Sequence, residues 1–137
     1  MLSLLLRQIA KRYPGPFVDL EITACGKQVR LNLEIANNIW RRALGMMGRT
    51  EIAENSGMIF IYPHPRVVRL WMANTPLSLD AIFVDETGRI LKIAHRLQPY
   101  SRRQVSSGEP VKWVLEIAGG QSMLLGIEAG NQISFPT

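Results

Sequence analysis

Two carboxylates, with the aromatic, amide and hydroxyl groups near one of them, are the residues of this chain best suited to chemistry. Asp80 ends the run Trp71-Met72-Ala73-Asn74-Thr75-Pro76-Leu77-Ser78-Leu79-Asp80 and opens the apolar Ala81-Ile82-Phe83-Val84, while Glu116 sits inside Val114-Leu115-Glu116-Ile117-Ala118. An acid in so apolar a setting must find hydrogen-bond donors or shift its pKa. If both acids faced one pocket, they would supply a general acid and a general base, as in glycoside cleavage. Trp71, Asn74, Thr75 and Asp80 would alternatively line a ligand pocket. A third reading makes Asp80 a brace, accepting backbone N–H groups from the bend at Asn74 to Leu77 while Asn74 bonds its own turn. The brace is the favoured reading, and any ligand then uses a cavity already made rigid.

Other chemistries find less support. His64 lies between prolines and His95 at a strand end. A metal site would need both to converge with Asp80 or Asp85, and no HxH, HxxxH or Cys-pair spacing suggests it. The expectation is no metal and no cofactor. Cys25 is the single cysteine, so no disulfide framework forms. It falls at a hairpin tip without a neighbouring base and reads as structural. Ser78 and Ser122 have neither a base nor an orienting acid nearby in sequence. Gly119-Gly120 precedes a short helix whose N-terminus could hold an anion, although a plain turn explains it equally well.

These residues need a scaffold, and the hydrophobic pattern describes one. Val18, Leu20 and Ile22 alternate with Asp19, Glu21 and Thr23. After Cys25-Gly26, Val29, Leu31, Leu33 and Ile35 alternate with polar residues, giving a hairpin. Asn37 can cap a short helix that turns Ile39, Ala43 and Leu44 inward. Gly57 to Tyr62 is a continuous apolar strand stopped by Pro63-His64-Pro65, and Val67 to Met72 reads as another. Ala81 to Val84 and Arg89 to Ala94 flank the turn Asp85-Glu86-Thr87-Gly88. Leu97 to Pro110 reads as a structureless, mobile or functional segment. Val111 to Ala118 and Gln132 to Phe135 are the last strands, separated by a short helix. On the first of these, alternation puts Glu116 with Val114 and Ala118, opposite Trp113, Leu115 and Ile117. An inward Val114 face would make Glu116 a buried acid paired with a cation such as Arg69 or Arg89. The fold class is mostly β: a single-domain β-sandwich or closed barrel of seven or eight strands with two or three short helices.

At 137 residues and 47% hydrophobic, the chain is long and apolar enough for one folded, soluble domain with a real core. Residues 1–16 form an amphipathic extension and 17–137 the β-rich domain. Leu2, Leu5, Leu6 and Ile9 fall at helical spacing beside Arg7, Lys11 and Arg12. This segment should pack on the domain, with weak membrane-surface contact through residues 1–12 as the alternative. No stretch reaches transmembrane length. A net charge of +5 suits anionic partners, but scattered arginines without interleaved aromatics argue against nucleic acid.

Six ordered motifs carry a resemblance: Leu44-Gly45-Met46-Met47-Gly48-Arg49, Gly57-Met58-Ile59-Phe60, Trp71-Met72-Ala73-Asn74-Thr75, Leu79-Asp80-Ala81-Ile82-Phe83-Val84, Val114 to Gly120, and Gly126 to Asn131. Over residues 17 to 136 the chain resembles the prokaryotic family called domain of unknown function 192. The resemblance implies a β-rich, sandwich-like fold and carries no mechanism, cofactor or catalytic residue with it. Ala73 stands where the family commonly has lysine, and Asn131 where aspartate usually follows the glycine. Many relatives begin with an export signal. Here Arg7 interrupts the opening apolar run and no small-residue cleavage site follows, which favours the cytoplasm over export.

The expected function is a non-catalytic binding or accessory module for a small molecule, glycan or peptide held near Trp71, Asn74, Thr75 and Asp80, with Leu97 to Pro110 as a flap. The alternative is a hydrolase using Asp80 and Glu116 as its carboxylate pair.

Overall fold

The computed structural model describes residues 15–136. The N-terminal amphipathic extension, apart from its last two residues, therefore lies outside the described residues. The first hairpin forms as its alternation requires. β1 (Phe17–Ala24) pairs antiparallel with β2 (Lys27–Ala36), and Cys25 and Gly26 make the turn with φ of 51° and 73°. Positive φ at both central residues matches the strand twist, which is why glycine belongs there.

Next come α1 (Ile39–Leu44), β3 (Ser56–Arg66), β4 (Arg69–Leu70), β5 (Leu79–Val84), β6 (Ile90–Leu97), β7 (Val105–Ser106), β8 (Val111–Ala118), α2 (Gln121–Leu124) and β9 (Gln132–Ser134). Seven strands form one sheet in the order β6-β5-β8-β3-β2-β1-β9, and β4 pairs with β7 in a second, two-stranded sheet. The large sheet curls into a half barrel. Its last strand meets the turn before β6 through the Arg89–Gln132 bridge, with Ile90 N–H donating to the Asn131 carbonyl at 2.9 Å. The mostly-β expectation holds, with a curled sheet in place of a sandwich or a fully closed barrel.

Strand parity sorts the apolar residues into two cores. Leu20, Ile22, Leu31, Leu33, Ile59, Ile82, Val84, Ile90, Leu115, Ile117 and Ile133 come from all seven strands and fill the inside of the curl. Met58, Phe60, Tyr62, Ala81, Phe83 and Val114 lie on the other face of β3, β5 and β8. There Met46, Val68 and Met72 cover them, drawn from the segments around α1 and β4. Burying each large apolar side chain stabilises the fold by about 1.5–3 kcal/mol. β3, β5 and β8 are thus buried on both faces, which explains their unbroken hydrophobic runs.

Several local expectations need correction. Asn38, not Asn37, caps α1, its side-chain oxygen accepting the Arg41 N–H at 2.9 Å. Helix α1 buries none of its residues, and Ile39 is 69% exposed. Gly45 ends the helix and turns Met46 into the core instead. Pro63-His64-Pro65 does not stop β3, which continues to Arg66 through an irregular register against β8. Of the strand expected from Val67 to Met72, two residues pair. The segment from Leu97 to Pro110 is not structureless either, because β7 lies within it and bonds β4.

Candidate functional site

The bend after Trp71 is held by neighbouring loops. Met72 N–H donates to the Ser101 carbonyl at 2.8 Å, Tyr100 N–H to the Thr75 carbonyl at 3.0 Å, and Gly48 N–H to the Asn74 carbonyl at 2.8 Å. Asn74 takes a left-handed φ of 56°, and the buried Thr75 hydroxyl donates to the Ala73 carbonyl at 3.1 Å. Asn74 therefore serves the bend through its backbone conformation and carbonyl. Trp71 is 48% exposed, with the Arg102 guanidinium 5.9 Å from its ring.

Asp80 is fully buried and braces the chain, although not through the bend at Asn74 to Leu77. Its Oδ1 accepts Arg96 N–H at 2.8 Å and Gly120 N–H at 3.0 Å. Its Oδ2 accepts Ser122 N–H at 2.9 Å and the Ser122 hydroxyl at 2.5 Å. The free N–H groups at the start of α2 have thus captured the protein's own carboxylate. Gly120 permits this with a φ of 90°, and a Cβ there would crowd the Arg96 guanidinium at 3.2 Å. Burial alone would raise the Asp80 pKa, but the Ser122 hydroxyl and three backbone N–H groups outweigh it and hold the carboxyl below its ordinary value.

His95 Nδ1 lies 3.2 Å from Ser122 Oγ, so a serine, a histidine and an aspartate meet here after all. The chemistry differs from a hydrolytic triad. Serine sits between the other two, and its proton goes directly to Asp80, whereas catalysis needs histidine in the middle as base. Ser122 is also fully buried. This arrangement is a structural brace, and sequence separations of 27 and 42 residues kept it out of sight. His64 is exposed, and among the described residues no three His, Cys, Asp or Glu side chains gather where a metal would need them.

Glu116 occupies the opposite face. Asp80 pairs with Ile117 and Ala81 with Glu116 across β5 and β8, so adjacent register positions send the two carboxylates to opposite sides of the sheet. The geometry therefore does not bring them together as an acid–base pair. Glu116 is 5% exposed and has no hydrogen-bond or ion-pair partner among the described residues, neither Arg69 nor Arg89. Burial pushes its pKa up to about 7.

What Glu116 meets instead is space. It helps line a cavity of about 200 Å³ with Phe60, Tyr62, Leu79, Trp71 and Thr75. Arg42 and Arg69 also border this cavity, and the Arg42 guanidinium lies 5.4 Å from the Tyr62 ring while Nη1 donates to the Ile61 carbonyl at 3.0 Å. Burial, followed by the proximity of Glu116, pushes the Tyr62 hydroxyl up to about 12. Glycine at position 57 lets β3 approach the β8 backbone closely, since a Cβ would run into the Glu116 main-chain oxygen. A second cavity of about 500 Å³ lies on the other side of Trp71, bordered by Lys92, Arg96, Arg103 and Ser101.

Of the residues singled out from sequence, Trp71 and Thr75 thus share the Glu116 cavity, whereas Asn74 and Asp80 support it from outside. Tyr62 and Phe60 were missed as lining residues, while Met46 and Met47, expected chiefly to fill the core with a pocket as the alternative, border the cavity. Parity along Gly57 to Tyr62 could have placed Phe60 and Tyr62 on one face, but only strand order sets that face beside Glu116.

Known structures share this fold. One from Sinorhizobium meliloti, provisionally described as a transcription regulator, is 31% identical with a TM-score of 0.87, covering 90% of this chain and 96% of its own. A protein of unknown function from Novosphingobium aromaticivorans is 34% identical with a TM-score of 0.84, covering 87% of this chain and 85% of its own. No curated protein matches. The family model described as an uncharacterized ACR, DUF192, matches residues 20–135, from the first hairpin to the last strand. That span contains both the Asp80 brace and the Glu116 cavity, and the chain belongs to the DUF192 family.

Proposed function

We propose that this protein is a non-catalytic binding module whose ligand, a small molecule or the side chain of a peptide, enters the cavity between Trp71 and Glu116. One observation carries the reading: a buried carboxyl without a partner among the described residues faces an open cavity. Such a group costs several kcal/mol to desolvate and is ordinarily paired. A partner supplied from outside accounts for it. Apolar side chains, a few polar groups with a buried acid among them, and an exposed aromatic are the usual composition of a small-molecule site.

The cavity volume suits a compact ligand or the end of a longer one. Strand β4 and Trp71 border this cavity, whereas loop 98–104 and β7 border the second cavity beyond Trp71, so a flap role for that loop rests on its closing over Trp71. A role in transcription, as the relative's provisional description would suggest, needs an element that fits a DNA groove. The two described helices have six and four residues, less than two turns each, against about three to four turns for an ordinary globular helix.

A thermal-shift screen of the purified protein against metabolites, short glycans and peptides tests the proposal, with Glu116→Gln run in parallel. Compounds that raise the melting temperature of the wild type but not of Glu116→Gln are expected. Hits indifferent to Glu116 and to Trp71→Ala would overturn the site.

A further inference from the structure

The polarity of the cavity narrows the ligand further, on the premise that this cavity is the binding site. Among the residues lining it, Glu116 is the one acid, and Arg42 and Arg69 are the two cations. Glu116 sits at depth on the central strand β8, 5% exposed, whereas Arg69 is exposed at the rim. Arg42 is held beside the opening by its stacking on Tyr62 and its bond to the Ile61 carbonyl. Between these charges lie the buried Met46, Phe60, Met72 and Leu79.

We propose that the ligand is a small amphoteric amine, its ammonium seated on the Glu116 carboxylate and its own anionic group met at the mouth by Arg42 and Arg69. A protonated amine is the donor that a buried carboxylate without a partner among the described residues lacks, and the pair becomes strong once water is excluded. Phe60 and Tyr62 add aromatic surface against which a cation rests favourably. A plain cation would have to pass two arginines on a chain of net charge +5. A plain anion would face the carboxylate itself. A molecule bearing both charges avoids both conflicts, and the methionine, leucine and phenylalanine walls match an aliphatic stem between them. One carboxylate is too few for a divalent cation, which takes several oxygen ligands.

Titration calorimetry on the full chain in mildly alkaline, low-salt buffer separates the choices with three probes of equal stem: ω-aminohexanoate, hexylamine and hexanoate. The expected order is ω-aminohexanoate tightest, hexylamine weaker by roughly tenfold, and hexanoate weakest. Glu116→Gln keeps the shape of the side chain and should weaken ω-aminohexanoate by roughly 10- to 100-fold. Arg69→Gln, at an exposed position that leaves folding intact, should bring ω-aminohexanoate down to the hexylamine level. Hexanoate binding as tightly as ω-aminohexanoate, or Glu116→Gln binding it undiminished, overturns the amine. If none of the three binds while other compounds still stabilise the protein in a Glu116-dependent way, the amine assignment falls and the binding site stands. If no compound depends on Glu116, both fall together.

Discussion

Asp80 and Glu116 lie one register step apart on neighbouring strands and are almost equally buried, at 0% and 5% exposure, yet their surroundings are opposite. Asp80 receives four hydrogen bonds and stays ionised more readily than a free carboxylate. Glu116 receives none from the described residues and holds its proton up to about neutral pH. Burial alone therefore does not decide the fate of an acid. The supply of donors does, and that supply depends on position along the strand. Asp80 sits near the end of β5, where the loop into α2 and the irregular stretch at Arg96 offer N–H groups no ladder uses. Glu116 lies within β8 between β3 and β5, where backbone donors are engaged in pairing and the covering loops leave a cavity in place of a donor.

Substitutions that remove one side of this contrast should have unequal effects. The largest belongs to Asp80→Asn, which turns an amide donor toward groups that are themselves donors. It should cost about 3–4 kcal/mol in urea unfolding while leaving ligand affinity nearly unchanged. An unaltered unfolding midpoint would mean that the brace is not structural.

Glu116→Gln should act in the other direction. The carboxyl has its pKa raised from an ordinary 4.5 to about 7 in the folded state. Its favourable contribution is thus complete below the unfolded value and is lost as pH rises through about 7. The wild-type unfolding free energy should fall by about 3 kcal/mol across that window, and the slope should vanish in Glu116→Gln. Tyr62, which also borders the cavity, is pushed up to about 12 and keeps its proton in that range. Asp80 gives the opposite sign: with its folded pKa depressed, its contribution is present above the ordinary carboxylate range and disappears as pH falls through the folded value. Equal slopes in wild type and Glu116→Gln would break the comparison.

Smaller effects sharpen it. Ser122→Ala removes one of four donors to Asp80 and should cost about 1–2 kcal/mol, with the acid limb of the stability profile moving to higher pH. Trp71→Ala should change stability by less than about 0.5 kcal/mol, because the ring is half exposed, while weakening any ligand that also needs Glu116.

Much of the scaffold was written in local pattern. Alternation from Phe17 to Ala36 around Cys25-Gly26 gave the hairpin with its register, because inward residues recur at every second position whatever the rest of the chain does. The same parity put Glu116 opposite Leu115 and Ile117. Proline and glycine punctuation was read less well: Pro63 and Pro65 do not end β3, and the capping asparagine lies one position later than expected. Covering segments were harder still. The partial strand at Val67 to Met72 forms against Val105 and Ser106, contacts that no local pattern encodes.

The amino-acid order by itself determined that this is a mostly-β domain of the DUF192 family, that Asp80 needs donors, and which neighbours share a face with Glu116. Strand order decided the rest. Placing β8 between β3 and β5 sets Glu116 beside Tyr62 and Phe60, and folding the loop at Gly120 and Ser122 back onto β5 saturates Asp80 from 40 and 42 residues away. Local periodicity specifies which way a side chain points from its strand, while non-local packing alone specifies what it finds there.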